Sequence, residues 1–218
     1  MTNAKAPRAG RSLFKILILM STAYAMVQMW HWKIGFTFFT QLSNLYIAAV
    51  AGGQLAWDNR FLRANRFAAT VSIAMTFLVY LTVIGPLMPG GLLAGYREDH
   101  WASLCLHLIT PGLALADFFI NDSEVPWSRR HALYALVPPS TWFLFILLLG
   151  RLGVSWRGMA APYPFLNYRA PAGWFGFRPD TLGADTLGLG VFYAMLILLA
   201  AFLLMGWLLL WIAGKRRK

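Results

Sequence analysis

Charged residues are scarce in this chain, and their scarcity argues against a soluble fold. Lysine, arginine, aspartate and glutamate together make up 12% of the 218 residues, whereas apolar residues make up 59%. The mean hydropathy is +0.57. A soluble domain carries roughly a quarter charged residues. The composition therefore predicts a protein that resides in the lipid bilayer.

Cysteine and metal-binding motifs are also nearly absent. Cys105 is the single cysteine, so the chain cannot form an internal disulfide. Neither paired-cysteine spacing nor an HExxH motif occurs. A bis-histidine haem needs two histidines that face each other within the membrane, but His31, His100 and His131 all fall in predicted loops. A surface zinc site on His31, His100 and His107 stays open as an alternative. We expect no metal and no cofactor.

Six apolar runs are long enough to cross a bilayer, since a spanning helix needs about 20 mostly apolar residues. The runs are continuous, whereas the strands of a membrane barrel alternate. No internal repeat of the kind found in many transporters is visible. We predict one all-α membrane domain over residues 1–218, a six-helix bundle with spans at 13–30, 36–57, 67–88, 101–120, 132–150 and 187–213.

The basic residues are distributed unevenly. An even number of spans places both termini on one side, and thirteen of the nineteen lysines and arginines fall there, including the closing KRRK. The positive-inside rule then predicts that both termini are cytoplasmic. The net charge of +11 accordingly indicates contact with anionic headgroups of the bilayer and not with nucleic acid. The first apolar run ends in AYA like a signal peptide, and we interpret it as an uncleaved first helix. These features favour a bacterial inner membrane.

One connection is much longer than the others. Residues 151–186, between the fifth and sixth spans, are rich in proline, glycine and aromatic side chains. Disordered segments are poor in aromatic residues, whereas tryptophan and tyrosine favour the membrane–water interface. We predict a folded lid over the outer mouth of the bundle, with Tyr163, Pro164 and Phe165 contacting a substrate. An interfacial anchor without a chemical role is the alternative.

Two ionisable residues lie well inside predicted spans, where such groups are functional candidates. Asp117 lies near the cytoplasmic end of the fourth span, within reach of Arg129, Arg130 or water, and we interpret it as a structural tether. His107 lies about 9 Å below the outer boundary at 1.5 Å per residue. Pro111 follows four residues later and cannot donate to the carbonyl of His107, so we expect a kink beside the imidazole. A neutral histidine bonded to a neighbouring helix is the alternative interpretation.

The second span concentrates hydrogen-bonding side chains at its start. Thr37, Thr40, Gln41 and Asn44 follow i, i+3, i+4, i+7 spacing and share one helical face. Thr40 comes to lie roughly 6 Å below the outer boundary, and Tyr80 of the third span about 12 Å below it. We therefore expect one polar pocket beneath the lid, bounded by Thr40, Tyr80 and His107.

A threonine hydroxyl in a membrane helix often bonds back to its own backbone. It is a poor nucleophile unless a base lies beside it, and histidine suits that role because its ordinary pKa lies near 6.5. A Thr–His pair at the matched depths of Thr40 and His107 is therefore chemically sensible, and a threonine bonded only to its own helix is the alternative. Candidate donors to a developing negative charge are Asn44, Gln41 and Tyr80, and Ser43 completes the polar wall.

Three segments carry a resemblance to a known family. They are FFTQLSNL at Phe38–Leu45, LHLITPGLALAD at Leu106–Asp117 and PYPFLN at Pro162–Asn167. In order and spacing they resemble the androgen-induced-gene family, which includes the androgen-dependent TFPI-regulating protein, and in particular its bacterial "Pr" branch. The resemblance covers about residues 12–213.

The resemblance implies a multi-pass threonine hydrolase that cleaves fatty acid esters of hydroxy fatty acids. By motif, Thr40 is the nucleophile, His107 the base, Tyr163–Leu166 the Tyr-Pro-Phe-Leu signature and Asp117 the acidic residue after the histidine. The chain departs from the animal pattern at three points: a leucine replaces a second histidine at position 104, the proline comes one residue early, and serine and asparagine stand at positions 43 and 44 in the bacterial style.

The leading hypothesis is thus an intramembrane hydrolase of a lipid or fatty acyl ester. The alternative is a lipid-binding or small-molecule transport protein that uses the same pocket without forming an acyl-threonine.

Overall fold

The computed structural model describes residues 8–57, 59–87, 101–121, 127–128, 130–181 and 188–215. Within these residues the chain is helical and forms no strand, apart from two isolated bridges. Some sequence predictions lie outside the described residues. They concern residues 1–7, the loop 89–100 with His100, Arg129, residues 182–187 of the lid, and 216–218 of the basic C-terminus.

The main helices of the described chain follow the predicted order of apolar runs. Their bounds are α1 Arg8–Gln28, α2 Phe39–Ala56, α3 Arg60–Ile84, α4 Trp101–Asn121, α5 His131–Arg151 and α6 Val191–Lys215. Four of them, α3 to α6, are long and apolar enough to cross a membrane, which is compatible with an integral membrane protein. α1 and α2 are not among the four, and the polar side chains at the start of α2 lower its hydropathy. The six-span count stays a prediction.

α3 is the central helix of the bundle. In the most apolar 18-residue stretch of α3, 61% of the residues are buried, against 22% in the corresponding stretch of α6. On one side Ile73 packs into a cluster with residues of α1, α2 and α4. On the other side Phe67 packs with residues of α4, α5 and α6. Because α3 contributes to both clusters, it fixes the relative positions of the helices that surround the candidate site.

The start of α3 differs from the sequence prediction. The third span was predicted to begin at residue 67, but the helix already begins at Arg60. The Asn59 side chain caps it by accepting a hydrogen bond from the backbone N–H of Leu62 at 2.8 Å. Arg66 consequently lies within the helix, six residues after its start, and is completely buried.

The predicted lid is folded where the structure describes it. Trp156 is 1% exposed and Leu166 is fully buried, in a cluster with residues of α5 and α6. Gly150 at the end of α5 permits the close approach of this segment, because a Cβ there would lie 2.8 Å from the carbonyl oxygen of Ala160. The lid segment (residues 151–181) therefore packs directly on the helix bundle.

Two tryptophans, one in the lid and one in α5, hydrogen-bond to the chain just before α2. Trp156 Nε1 donates to the Thr37 hydroxyl at 2.7 Å, and Trp142 Nε1 of α5 donates to the Thr37 carbonyl at 2.9 Å. Thr37 was expected on the polar face of the second span. It instead closes a 3₁₀ turn, Lys33–Thr37, and the extended residue Phe38 separates this turn from α2. The first helical turn, which contains Thr40, is thereby held under the lid.

Candidate functional site

Thr40 occupies the first turn of α2 and faces an apolar cavity. Its side chain is 8% exposed. The cavity has a volume of about 50 Å³. The lining residues come from α2, α3, α5, α6 and the lid, and most are apolar. They include Phe39, Met75, Val79, Trp142, Met195, Leu198 and Phe202, and the hydroxyl-bearing residues Thr40, Thr76 and Tyr163.

The group that meets the Thr40 hydroxyl is the phenol of Tyr163. The two oxygens lie 3.4 Å apart, and either hydroxyl can donate. The Tyr163 ring is held edge-on by Phe38 and Trp142 and is stacked on Phe165 at 5.4 Å. These ring contacts fix the direction in which the phenol points.

Pro164 explains why Tyr163 adopts its position. Tyr163 is extended, and Pro164 begins the 3₁₀ turn Pro164–Leu166, in which the backbone N–H of Leu166 donates to the Tyr163 carbonyl at 3.0 Å. The residue before a proline prefers extended backbone. All three predicted lid residues thus lie at the site: Tyr163 and Phe165 line the cavity, and Pro164 shapes the turn between them.

Burial raises the pKa of Tyr163 above its ordinary value of 10.0, while hydrogen bonding to the Thr40 side chain and to the backbone of Thr40 and Phe39 lowers it. The net direction is upward, because removing a phenolate from water costs more than these bonds return. Tyr163 is therefore a neutral hydrogen-bond donor at physiological pH and not a base.

His107 lies in a π-helical turn of α4, Cys105–Ile109. Its Nδ1 lies 2.9 Å from the carbonyl oxygen of Ser103 and 3.2 Å from the Ser103 hydroxyl. The bond to the carbonyl requires that Nδ1 carry the proton, which leaves Nε2 as the basic nitrogen. The ring is half-buried and stacks on Tyr80 with centroids 3.9 Å apart.

Thr40 and His107 are not joined by a hydrogen bond in the described part of the chain. The fold instead brings Thr40 to Tyr163, and His107 to Tyr80 and Ser103. The backbones are nevertheless adjacent, because the Asn44 amide donates to the carbonyls of Thr40 at 2.8 Å and of Leu106 at 3.1 Å. Asn44 thus links the helical turn of the threonine to the helical turn of the histidine.

Pro111 explains why the Leu106 carbonyl is free to accept a hydrogen bond from Asn44. In the π turn, the backbone N–H of Thr110 donates to Cys105, five residues back. A continuation of that pattern would pair Leu106 with residue 111, and proline has no N–H. A kink was expected beside His107; the structure has a π turn there, and the carbonyl that a side chain satisfies belongs to Leu106 and not to His107.

α3 also contains a π turn followed by a proline. Its π turn, Tyr80–Ile84, ends when the N–H of Gly85 donates to Tyr80, and Pro86 follows. In both helices a proline stands six residues after the first residue of the π turn. The stacked pair Tyr80 and His107 therefore joins two helices at their irregular turns, which are frequent at functional sites.

The other polar residues of α2 point in different directions. Ser43 is 2% exposed; its hydroxyl donates to the Thr40 carbonyl at 3.0 Å and lies 2.8 Å from the Thr76 hydroxyl. The amide nitrogen of Gln41 faces the Met29 sulfur at 3.8 Å. The roles of Gln41, Ser43, Asn44 and Tyr80 as charge-stabilising groups stay predictions.

Asp117 is fully buried and forms ion pairs inside the bundle. Its carboxylate accepts from Arg66 of α3 and from Lys15 of α1, the latter at 3.3 Å, and from the amide of Asn121. Arg129 lies outside the described residues, and the described cationic partners of Asp117 are 51 and 102 residues away in the chain. The role of Asp117 as a structural tether stays a prediction, which these ion pairs between helices support.

The sequence interpretation missed several wall residues of the cavity. Trp142, Met195 and Leu198 lie within long apolar runs of α5 and α6, where no local pattern separates a cavity-facing side chain from a lipid-facing one. Thr76 could have been found as a polar residue in the third span. The described residues contain no cluster of three histidine, cysteine, aspartate or glutamate side chains suited to a metal ion.

Comparison with known proteins gives no assignment: no family model, no curated protein and no solved structure matches the chain.

Proposed function

We propose that this chain is an intramembrane hydrolase of lipid esters, with Thr40 as nucleophile and His107 as general base. The observation that carries the proposal is the hydroxyl of Thr40 at the wall of an otherwise largely apolar cavity. A site of this composition suits a fatty acyl ester, whose chain occupies the apolar part while its ester group meets the Thr40 hydroxyl. The resemblance of the three motifs supports the same assignment.

In the proposed reaction, the Thr40 oxygen attacks the acyl carbon and its proton passes to Nε2 of His107. The carbonyl electron pair moves onto oxygen, returns as the bond to the alcohol oxygen breaks, and the departing alcohol takes the proton from His107. Water then releases the fatty acid from acyl-Thr40 by the same route. Proton transfer requires Nε2 to approach the Thr40 hydroxyl directly or through one water.

The bilayer setting belongs to the proposal as well. We place α1 and α2 in the membrane together with the four long apolar helices, which gives six spans. Both termini are then cytoplasmic, the basic C-terminus contacts anionic lipid, and the lid covers the outer leaflet of a bacterial inner membrane. The positive-inside bias of the sequence supports this orientation.

A second candidate is a lipid-binding or transport protein that uses this cavity without chemistry. A specific observation favours it: His107 is engaged by Ser103 and Tyr80 and makes no hydrogen bond to Thr40 among the described residues. In this case the Thr40 and Tyr163 hydroxyls would only bind the polar end of a lipid.

A fluorophosphonate probe on detergent-purified protein separates the two candidates. We expect labelling of the wild type at Thr40 and loss of labelling in Thr40→Ala and His107→Ala. Two control variants should label normally. Thr82→Ala removes an exposed threonine that bonds to its own helix, and His131→Ala removes a histidine that bonds to Ser128 at the start of α5. Labelling that persists in Thr40→Ala would refute the hydrolase assignment, and a lipid retained in native mass spectra would then support the binding protein.

A further inference from the structure

The donors first expected to stabilise negative charge at Thr40 are occupied elsewhere. Both protons of the Asn44 amide are donated to backbone carbonyls. The Gln41 amide nitrogen faces the Met29 sulfur. Tyr80 stacks on His107. An ester hydrolase with Thr40 as nucleophile still needs a donor for the carbonyl oxygen, because loss of such a donor typically lowers the rate by about 100- to 1,000-fold.

Tyr163 is the described side chain placed to supply this donor. Its phenol contacts the Thr40 hydroxyl at 3.4 Å and lines the same cavity. The negative charge develops on an oxygen attached to the carbon that Thr40 attacks, so it lies two bonds from the Thr40 oxygen that Tyr163 already contacts. A ring held by Phe38, Trp142 and Phe165 presents the donor without reorganisation during the reaction.

We propose that Tyr163 is a catalytic residue of this site, in which its phenolic O–H donates to the oxyanion of the tetrahedral intermediate. The proposal rests on the proposed hydrolase function. Tyr163 keeps its own proton throughout: the Thr40 proton passes to His107 and then to the leaving alcohol, and the oxyanion electron pair re-forms the carbonyl. The lid thus covers the site and also contributes the Tyr163 phenol to the reaction centre.

The position of Tyr163 beside the first turn of α2 supports this role. Hydrogen bonding to the backbone of Thr40 and Phe39 lowers the pKa of the phenol, but burial has the larger effect and raises it. The raised pKa keeps it protonated over the physiological range.

The test compares Tyr163→Phe with Tyr168→Phe in full-length protein in detergent, with p-nitrophenyl decanoate as substrate. Both variants remove a phenol from the lid, but Tyr168 stacks on Trp174 at 5.3 Å and makes no hydrogen bond to Thr40. We expect kcat of Tyr163→Phe to fall about 100- to 1,000-fold with KM within about twofold, since the interaction is made in the transition state. Tyr168→Phe should stay near wild type.

A second variant keeps the test independent of folding. Incorporation of 3,5-difluorotyrosine at position 163 retains the ring and lowers the pKa of the phenol, so that activity should be lost at a lower pH than in wild type as the donor ionises. Thr40-dependent turnover that survives Tyr163→Phe within threefold would overturn this inference alone. Absence of Thr40-dependent turnover in the wild type would overturn the hydrolase assignment and this inference with it.

Discussion

Replacement of Asn44 by leucine removes the side chain that links the two halves of the candidate site. Asn44 is completely buried, and its amide bonds the carbonyls of Thr40 and Leu106. The Thr40 carbonyl keeps a second donor, the Ser43 hydroxyl at 3.0 Å. The Leu106 carbonyl has no such substitute, because Pro111 cannot donate to it.

The magnitude follows from this difference. One buried carbonyl left without a donor costs about 1–3 kcal/mol. The Asn44 side-chain oxygen is itself buried and finds no hydrogen-bond partner among the described residues, so its removal offsets part of the loss. We therefore expect Asn44→Leu to lower the free energy of unfolding by about 1–2 kcal/mol. Asn44→Asp should cost more, since a carboxylate would face two carbonyl oxygens without a proton to donate.

The assay is reversible unfolding in mixed dodecyl maltoside and SDS micelles, followed by far-ultraviolet circular dichroism. Thr82→Val, which removes an exposed bond within one helix, serves as the control and should change stability by less than about 0.5 kcal/mol. Fluorophosphonate labelling at Thr40 should also fall in Asn44→Leu, because α4 is released from α2 beside His107. An Asn44→Leu protein as stable as wild type, or less stable than Asn44→Asp, would refute the reasoning.

Three further predictions follow from the contacts described above. Asp117→Asn should destabilise the same unfolding transition by about 3–5 kcal/mol, because it leaves buried Lys15 and Arg66 without their carboxylate, whereas exposed Asp180→Asn should have little effect. Leu198→Trp should fill the cavity and lower turnover of decanoyl esters more than that of acetyl esters; equal effects on both would show that the acyl chain lies elsewhere. Because folding raises the pKa of Tyr163 above 10.0, its contribution to stability is full below pH 10.0 and is lost as the pH rises towards the folded-state value. The stability difference between wild type and Tyr163→Phe should therefore diminish above pH 10.0, and thermal unfolding measured from pH 8.0 to 11.0 would show whether it does.

The sequence by itself determined the helical character of the chain and its long apolar runs, which are compatible with an integral membrane protein, since its composition leaves few charged residues. It also located the polar start of α2 and predicted an irregularity of the helix near His107, because Pro111 lies four residues away. Local chemistry was sufficient for each of these features. Residues 151–181 could likewise be recognised as folded from their aromatic content.

Only the tertiary structure decided which side chains meet. Thr40 contacts Tyr163 across 123 residues, and Asp117 pairs with Lys15 across 102. The threonines and amides of α2 share a helical face in projection, yet Thr40 faces the cavity while Asn44 faces α4. Depth in the bilayer can be counted along one helix, but rotation of each helix about its axis depends on packing against its neighbours. That rotation brings Thr40 to Tyr163 and His107 to Tyr80.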